Sequence, residues 1–179
     1  PLKIEARPVI RNNVIYDNYG TGISNAPNAT ALVMDNELFG NRFPGADEAK
    51  GDLVGAGIGV RESGRPTIDN NVCYRNGVGI GGLNLDSHDR ELIIRNNILY
   101  NNKTAGIGLR PTSSGKSNIR AVIENNKAYG NLKAGIRLSK MDSVVIRYNT
   151  VFENRQSGII LTNVDEAFIE DNEIYGNQT

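Results

Sequence analysis

Val145 to Ile159 reads V-I-R-Y-N-T-V-F-E-N-R-Q-S-G-I, and its order of apolar residues, asparagine, aromatic, asparagine and Gly-Ile recurs from one end of the chain to the other. With Asn149 as the register mark, the other copies fall at Asn13, Asn36, Asn71, Asn97, Asn126 and Asn172, with successive spacings of 23, 35, 26, 29, 23 and 23 residues. A base period of 23 with three short apolar pieces per copy is the pattern of a solenoid, in which each repeat buries its apolar face only against its neighbours.

Within one copy, Val144 and Ile146 alternate with Val145 and Arg147, the period-two pattern of a strand. Tyr148-Asn149 breaks that pattern. Asparagine tolerates the left-handed conformation and bonds nearby backbone, which suits a tight bend between two short strands. Stacked copies would then form an internal asparagine ladder. Thr150-Val151-Phe152 follows, then Asn154, a polar turn, and a third strand, Gly158-Ile159-Ile160-Leu161. Gly22, Gly57, Gly79, Gly106, Gly135 and Gly158 each precede an isoleucine, as expected where the backbone turns and a Cβ would be in the way.

Three strands and three turns per copy resemble the right-handed parallel β-helix of the pectate-lyase type and its short-repeat relatives. The resemblance implies an all-β solenoid of about seven coils, with residues 1–179 forming one domain. At roughly 4.8 Å per rung, seven coils would be about 30 Å long. The chain opens on Leu2-Lys3-Ile4, which reads as the tail of a Gly-Ile strand, and closes on Gly176-Asn177-Gln178-Thr179, where the next Gly-Ile is due. Neither end shows a capping helix or a polar coil, although open strand edges need cover. The expectation is a segment of a longer chain, a cap from another segment, or end-to-end self-association.

Twenty basic and twenty acidic residues are interspersed and the formal net charge is zero, so the electrostatic footprint of nucleic-acid binding is missing. No apolar run reaches the length of a membrane span. Cys73 is the single cysteine, which rules out an intrachain disulfide and decides nothing about redox compartment.

Two columns follow from the register. Arg11, Met34, Asp69, Arg95, Glu124, Arg147 and Glu170 alternate in sign from the third coil onward, as weak exposed pairs of a few tenths of a kcal/mol would require. Tyr16, Phe39, Tyr74, Tyr100, Tyr129, Phe152 and Tyr175 place an aromatic in every copy, on the outer face by strand alternation. That column reads as a stiffening stack, or alternatively as a sugar-stacking or partner-docking ribbon.

Function is sought where the regularity fails. The coil after Asn36 carries 12 extra residues between Asn41 and Gly57, and the next two coils carry shorter insertions in Leu83 to Arg90 and Pro111 to Ser117. All three flank the same strand on successive rungs, which builds the walls of a groove over coils two to four. The second of them, G-G-L-N-L-D-S-H-D-R-E-L, holds the only histidine, His88, between Asp86 and Asp89. Arg61 and Arg110 lie on the same face, with Lys140 one rung further. Such a set suits an anionic saccharide: guanidinium groups neutralise carboxylate, and imidazole or carboxylate moves a proton. The spacing matches no metal-ligand motif, and neither a metal nor another cofactor is expected.

Asp86-Ser87-His88-Asp89, followed by Leu92-Ile93-Ile94-Arg95 and Asn96-Asn97, resembles the Asp-Pro-His-Asp/Glu segment of the β-helical mannuronan (alginate) C5-epimerases. Those enzymes abstract the C5 proton of a uronate and return one from the opposite face; related lyases eliminate across C4 and C5. The resemblance implies Asp86, His88 and Asp89 as catalytic residues, an anionic polysaccharide as substrate, and an extracellular or periplasmic setting. The family's tyrosine, three residues before the aspartate, is Leu83 here, and its glycine and proline are Asn84 and Ser87. Against this stands a reading from a different class, a non-catalytic scaffold, surface or filament β-helix, in which D-S-H-D is a solvated turn held by local side-chain bonds to backbone.

Overall fold

The computed structural model describes residues 7–45, 54–85, 91–111 and 119–178. Coil 1 comprises β1 (Val9–Arg11), β2 (Val14–Tyr16) and β3 (Ile23–Asn25), and coil 2 comprises β4 (Leu32–Met34), β5 (Glu37–Phe39) and β6 (Ala56–Arg61). Coil 3 holds β7 (Thr67–Asp69), β8 (Val72–Tyr74) and β9 (Val78–Leu85), and coil 4 holds β10 (Leu92–Arg95), β11 (Ile98–Tyr100) and β12 (Ile107–Pro111). Coil 5 is β13 (Arg120–Glu124), β14 (Lys127–Tyr129) and β15 (Ile136–Ser139); coil 6 is β16 (Ser143–Arg147), β17 (Thr150–Phe152) and β18 (Ile159–Thr162). β19 (Glu166–Glu170) and β20 (Glu173–Tyr175) begin coil 7.

Every pairing is parallel and joins equivalent strands of successive coils, giving two seven-stranded sheets and one six-stranded sheet, β3-β6-β9-β12-β15-β18. The chain therefore winds as a β-helix of seven rungs. Inward residues of each sheet fill the interior: Val33, Ile68, Ile94, Ile123 and Ile146 from the first sheet, Leu38, Cys73, Leu99, Ala128 and Val151 from the second, and Ile58, Ile80, Ile107 and Ile136 from the third, all 0% exposed. Cys73 is one of these core residues, and burial pushes its thiol pKa up, out of the reactive range.

The asparagines at the first bend form a continuous ladder. Each ladder asparagine's Oδ1 accepts both the backbone N–H and the Nδ2 of the asparagine one coil earlier, as in Asn71 to Asn97 at 2.9 and 3.0 Å and Asn126 to Asn149 at 2.9 and 3.1 Å. A second ladder runs through Asn18, Asn41, Asn76, Asn102, Asn131, Asn154 and Asn177 at the second bend. These side chains satisfy the backbone groups that the bends remove from the sheets.

The ladder asparagine is not itself the left-handed residue that the sequence pattern suggests. Positive φ falls one position earlier, at Asn12, Asp35, Asn70, Asn96, Asn125, Tyr148 and Asp171, with φ between 51° and 58°. The division is physical: one residue absorbs the bend, and the next turns its amide inward to bridge coils. Six of the seven are Asn or Asp, which accept this conformation; Tyr148 does so without that advantage.

The glycines before isoleucine have a different reason for being glycine. Their φ values are not left-handed, but a Cβ at Gly57, Gly79 or Gly106 would lie 2.8, 2.5 or 2.8 Å from the carbonyl oxygen of the equivalent glycine one coil on. The close approach of two backbones excludes a side chain there.

The two outer columns are as registered from the sequence. Arg95 Nη2 meets Asp69 at 2.8 Å and Arg147 Nη2 meets Glu124 at 2.9 Å. The seven aromatics, on the second strand of each coil, form six consecutive stacked pairs with centroids 4.9 to 5.1 Å apart and interplanar angles of 6° to 13°. Stacking turns the ring faces toward one another and leaves edges to solvent. This supports the stiffening role and leaves little ring face for a sugar.

Candidate functional site

The third sheet carries a groove of about 280 Å³ on its outer face. Its floor follows from strand register. Ser24, Gly59, Gly81, Gly108 and Arg137 are direct neighbours on successive rungs, so three glycines in a row leave bare backbone between a serine and an arginine. None of these three glycines has positive φ, so backbone conformation does not demand them. A Cβ at Gly108 would meet only Val78 and Ala105, at 3.3 and 3.9 Å. One side wall is small and apolar, with Thr21, Ala56, Val78 and Ala105 along it. The other carries Arg61, Leu83 and Arg110, which pair in register across β6, β9 and β12.

At one end, Tyr19 and Phe43 meet edge to face with centroids 5.6 Å apart, and Tyr19 is 76% exposed. At the other end, Lys133, Arg137 and Ser139 of coil 5 complete the lining. Four lining residues are cationic, Arg61, Arg110, Lys133 and Arg137, and no lining residue among those described is acidic. In a chain with formal net charge zero, this is a local concentration of one sign in a concave surface, which focuses potential toward an anion.

The sequence-derived candidates are placed unevenly. Arg61 and Arg110 come together on one wall, as their matching G-I-G-V-R and G-I-G-L-R contexts imply. Lys140 stands just past β15, exposed at φ 54°, in the turn beyond Ser139 and outside the lining. Arg137, on the floor column, and Lys133 supply the cations from that coil instead. Asp86, His88 and Asp89 lie outside the described residues. The strand leading to them is described: Leu83 is half-buried in the groove wall, Asn84 has φ 54°, and the register slips there, so that Arg110 pairs Leu83 while Pro111 pairs Leu85. Asn84 is thus the extra residue of a bulge.

The groove also extends beyond coils two to four. It begins at Tyr19 and Ser24 of coil 1 and ends in coil 5. Tyr19, Phe43, Lys133 and Arg137 are not marked by the sequence pattern, and Tyr19 and Phe43 are two of four aromatics outside the regular column, with Tyr148 and Phe168. The second glycine of Gly-Ile-Gly at positions 57–59, 79–81 and 106–108 was the readable sign of the bare floor. Among the described residues, no group of three or more potential metal ligands occurs.

No curated protein and no solved structure matches the chain. The model of the right-handed β-helix region matches residues 2–121 and again 116–179. Three parallel sheets, stacked coil on coil, and that match over nearly the full length agree: the chain belongs to the right-handed β-helix family.

Proposed function

We propose that the groove on the third sheet binds an extended anionic polysaccharide of the polyuronate class, and that the segment bearing Asp86, His88 and Asp89 brings epimerase- or lyase-type chemistry to it. The observation that carries this reading is the pairing of four cations with a bare glycine floor, on a lining without acidic residues among those described. An unbranched sugar chain needs a long, shallow path, and its carboxylates need guanidinium partners in fork geometry. The Tyr19–Phe43 pair offers aromatic surface to a sugar ring at one end.

In this proposal Arg61 and Arg110 pair with uronate carboxylates. That pairing stabilises the negative charge that develops when the C5 proton, adjacent to the carboxylate, is removed. His88 or one of its neighbouring aspartates takes the proton. Return of a proton to the opposite face inverts C5 with no net change in bonding. Expulsion of the O4 substituent instead breaks the C4–O4 bond and leaves a C4–C5 double bond. The phenol that the mannuronan epimerases carry at the position of Leu83 has one counterpart on this lining, Tyr19. The setting consistent with such a polymer is extracellular or periplasmic.

Incubation with polymannuronate in deuterated water, followed by NMR, tests the chemistry. C5 exchange or an unsaturated product that disappears in His88→Ala supports it, and Tyr19→Phe shows whether that phenol participates. Binding without exchange or product removes catalysis and leaves a polysaccharide-binding β-helix, a reading favoured by the apolar Leu83 in the wall.

A further inference from the structure

Arg61, Leu83 and Arg110 occupy one column of the groove wall on three consecutive rungs. Rungs of a parallel sheet are about 4.8 Å apart, which sets the backbones of the two arginines about 10 Å apart with a neutral, apolar residue midway. Beside this column runs the floor of Gly59, Gly81 and Gly108, on the same three rungs. Cations at alternate rungs above a flat, featureless floor are a ruler.

From this spacing we infer that the bound polymer lies along the axis of the β-helix at one sugar per rung, with carboxylates two sugars apart on Arg61 and Arg110. Its chemical class is a diequatorially 1,4-linked chain in ribbon form. In such a ribbon each sugar is turned over relative to the last, so one edge presents a carboxylate only at every second ring. The intervening sugar then sets its uncharged edge against Leu83, where a carboxylate would be desolvated without a partner. The glycine floor lets the ribbon approach the backbone closely, which a Cβ on any of the three rungs would prevent. This inference rests on the anionic-groove reading above and adds register, direction and linkage geometry to it.

The test is a calorimetric titration of the protein with mannuronate oligomers of two to six sugars. A trisaccharide is the shortest that presents two same-edge carboxylates, so affinity is expected to step up about tenfold between disaccharide and trisaccharide. Arg61→Ala and Arg110→Ala, both at exposed positions, are each expected to abolish the step, so that trisaccharide and disaccharide bind each variant equally. Guluronate oligomers, whose diaxial linkages buckle the chain, are expected to show no step. A smooth rise with length, a step that survives either arginine variant, or an equal step with guluronate overturns the register while leaving the anionic groove standing. No binding at any length overturns the groove reading itself.

Discussion

Asn97 Oδ1 accepts two hydrogen bonds from Asn71, from the backbone N–H at 2.9 Å and from Nδ2 at 3.0 Å, and so ties coil 4 to coil 3 at the bend, beside the backbone bond from Ile98 N–H to the Asn71 carbonyl at 2.9 Å. Asn97 Nδ2 in turn donates to the carbonyls of Ile68 and Arg95 at 3.0 and 2.8 Å. Asn97→Ala takes the acceptor from the buried Asn71 N–H and the amide donor from the Ile68 carbonyl, at about 1–3 kcal/mol each where unsatisfied. Asn71 Nδ2 keeps the Val33 and Asp69 carbonyls, and the Arg95 carbonyl keeps the Asn70 N–H. A loss of about 3 kcal/mol or more is expected in denaturant unfolding, against less than about 1 kcal/mol for Asn13→Ala, whose residue is exposed and whose Nδ2 donates to the Arg11 carbonyl and to Asn36 Oδ1 at the open first coil. Equal effects at the two positions would show that the ladder is not what holds the coils.

Gly106 and Gly108 are two residues apart in one strand and should respond oppositely to the same change. A Cβ at Gly106 falls 2.8 Å from the Gly135 carbonyl oxygen, so Gly106→Ala is expected to cost about 1–3 kcal/mol. Gly108→Ala meets only side-chain atoms at 3.3 Å or beyond and is expected to stay within about 0.5 kcal/mol. Its effect should appear instead in weaker polysaccharide binding. Thermal unfolding of both variants, with titration of the second, checks this.

Tyr148 holds φ 56° where six other coils place Asn or Asp, and its ring is half exposed with Arg147 5.7 Å from the centroid. The left-handed conformation costs an L-residue roughly 1–2 kcal/mol, less for Asn, and an exposed cation–π contact returns about 0.5 kcal/mol. Tyr148→Asn is expected to raise stability by about 0.5–1 kcal/mol. A lower melting temperature would mean that the ring contact outweighs the backbone strain.

Tyr74 and Tyr100 sit within the aromatic stack, and partial burial raises the pKa of both phenols above 10.0. For Tyr74, the hydrogen bond its hydroxyl donates to Glu37 at 2.9 Å adds to the rise. The folded state therefore holds these protons more tightly than the unfolded chain. Their contribution is complete below about pH 10 and is lost as pH climbs through the folded values. Tyrosinate absorbance should lag a free-tyrosine titration, the lag should shrink in Tyr74→Phe, and stability should fall in the same alkaline window. Ionisation at the ordinary value would contradict the stacking account.

The fold was legible because its determinants are periodic. Asparagine, aromatic and Gly-Ile recur at the pitch of one coil, so register, the first asparagine ladder and the charge column could be read before any coordinate, while the second ladder emerged with the structure. What escaped was local backbone geometry, which the residue pattern does not spell out. The left-handed position moved from the ladder asparagine to its predecessor, since a bend and an inward amide cannot be served by one residue. The groove was anticipated from insertions and two arginines, but its floor depends on outward glycines whose importance appears only when strand alternation is resolved at the Gly-Ile corner. Arg137 displaced Lys140 from the lining for the same reason: one side chain rises from the floor column, the other from the following turn.

The claim on which the functional account rests is that this groove holds an anionic sugar chain, and calorimetric titration with polymannuronate at low ionic strength tests it most directly. The account predicts saturable binding that weakens with added salt, falls about tenfold or more in the Arg61→Ala/Arg110→Ala double variant, and does not occur with a neutral mannan of equal length. Absence of binding, or binding that is indifferent to salt and to both arginines, would contradict it.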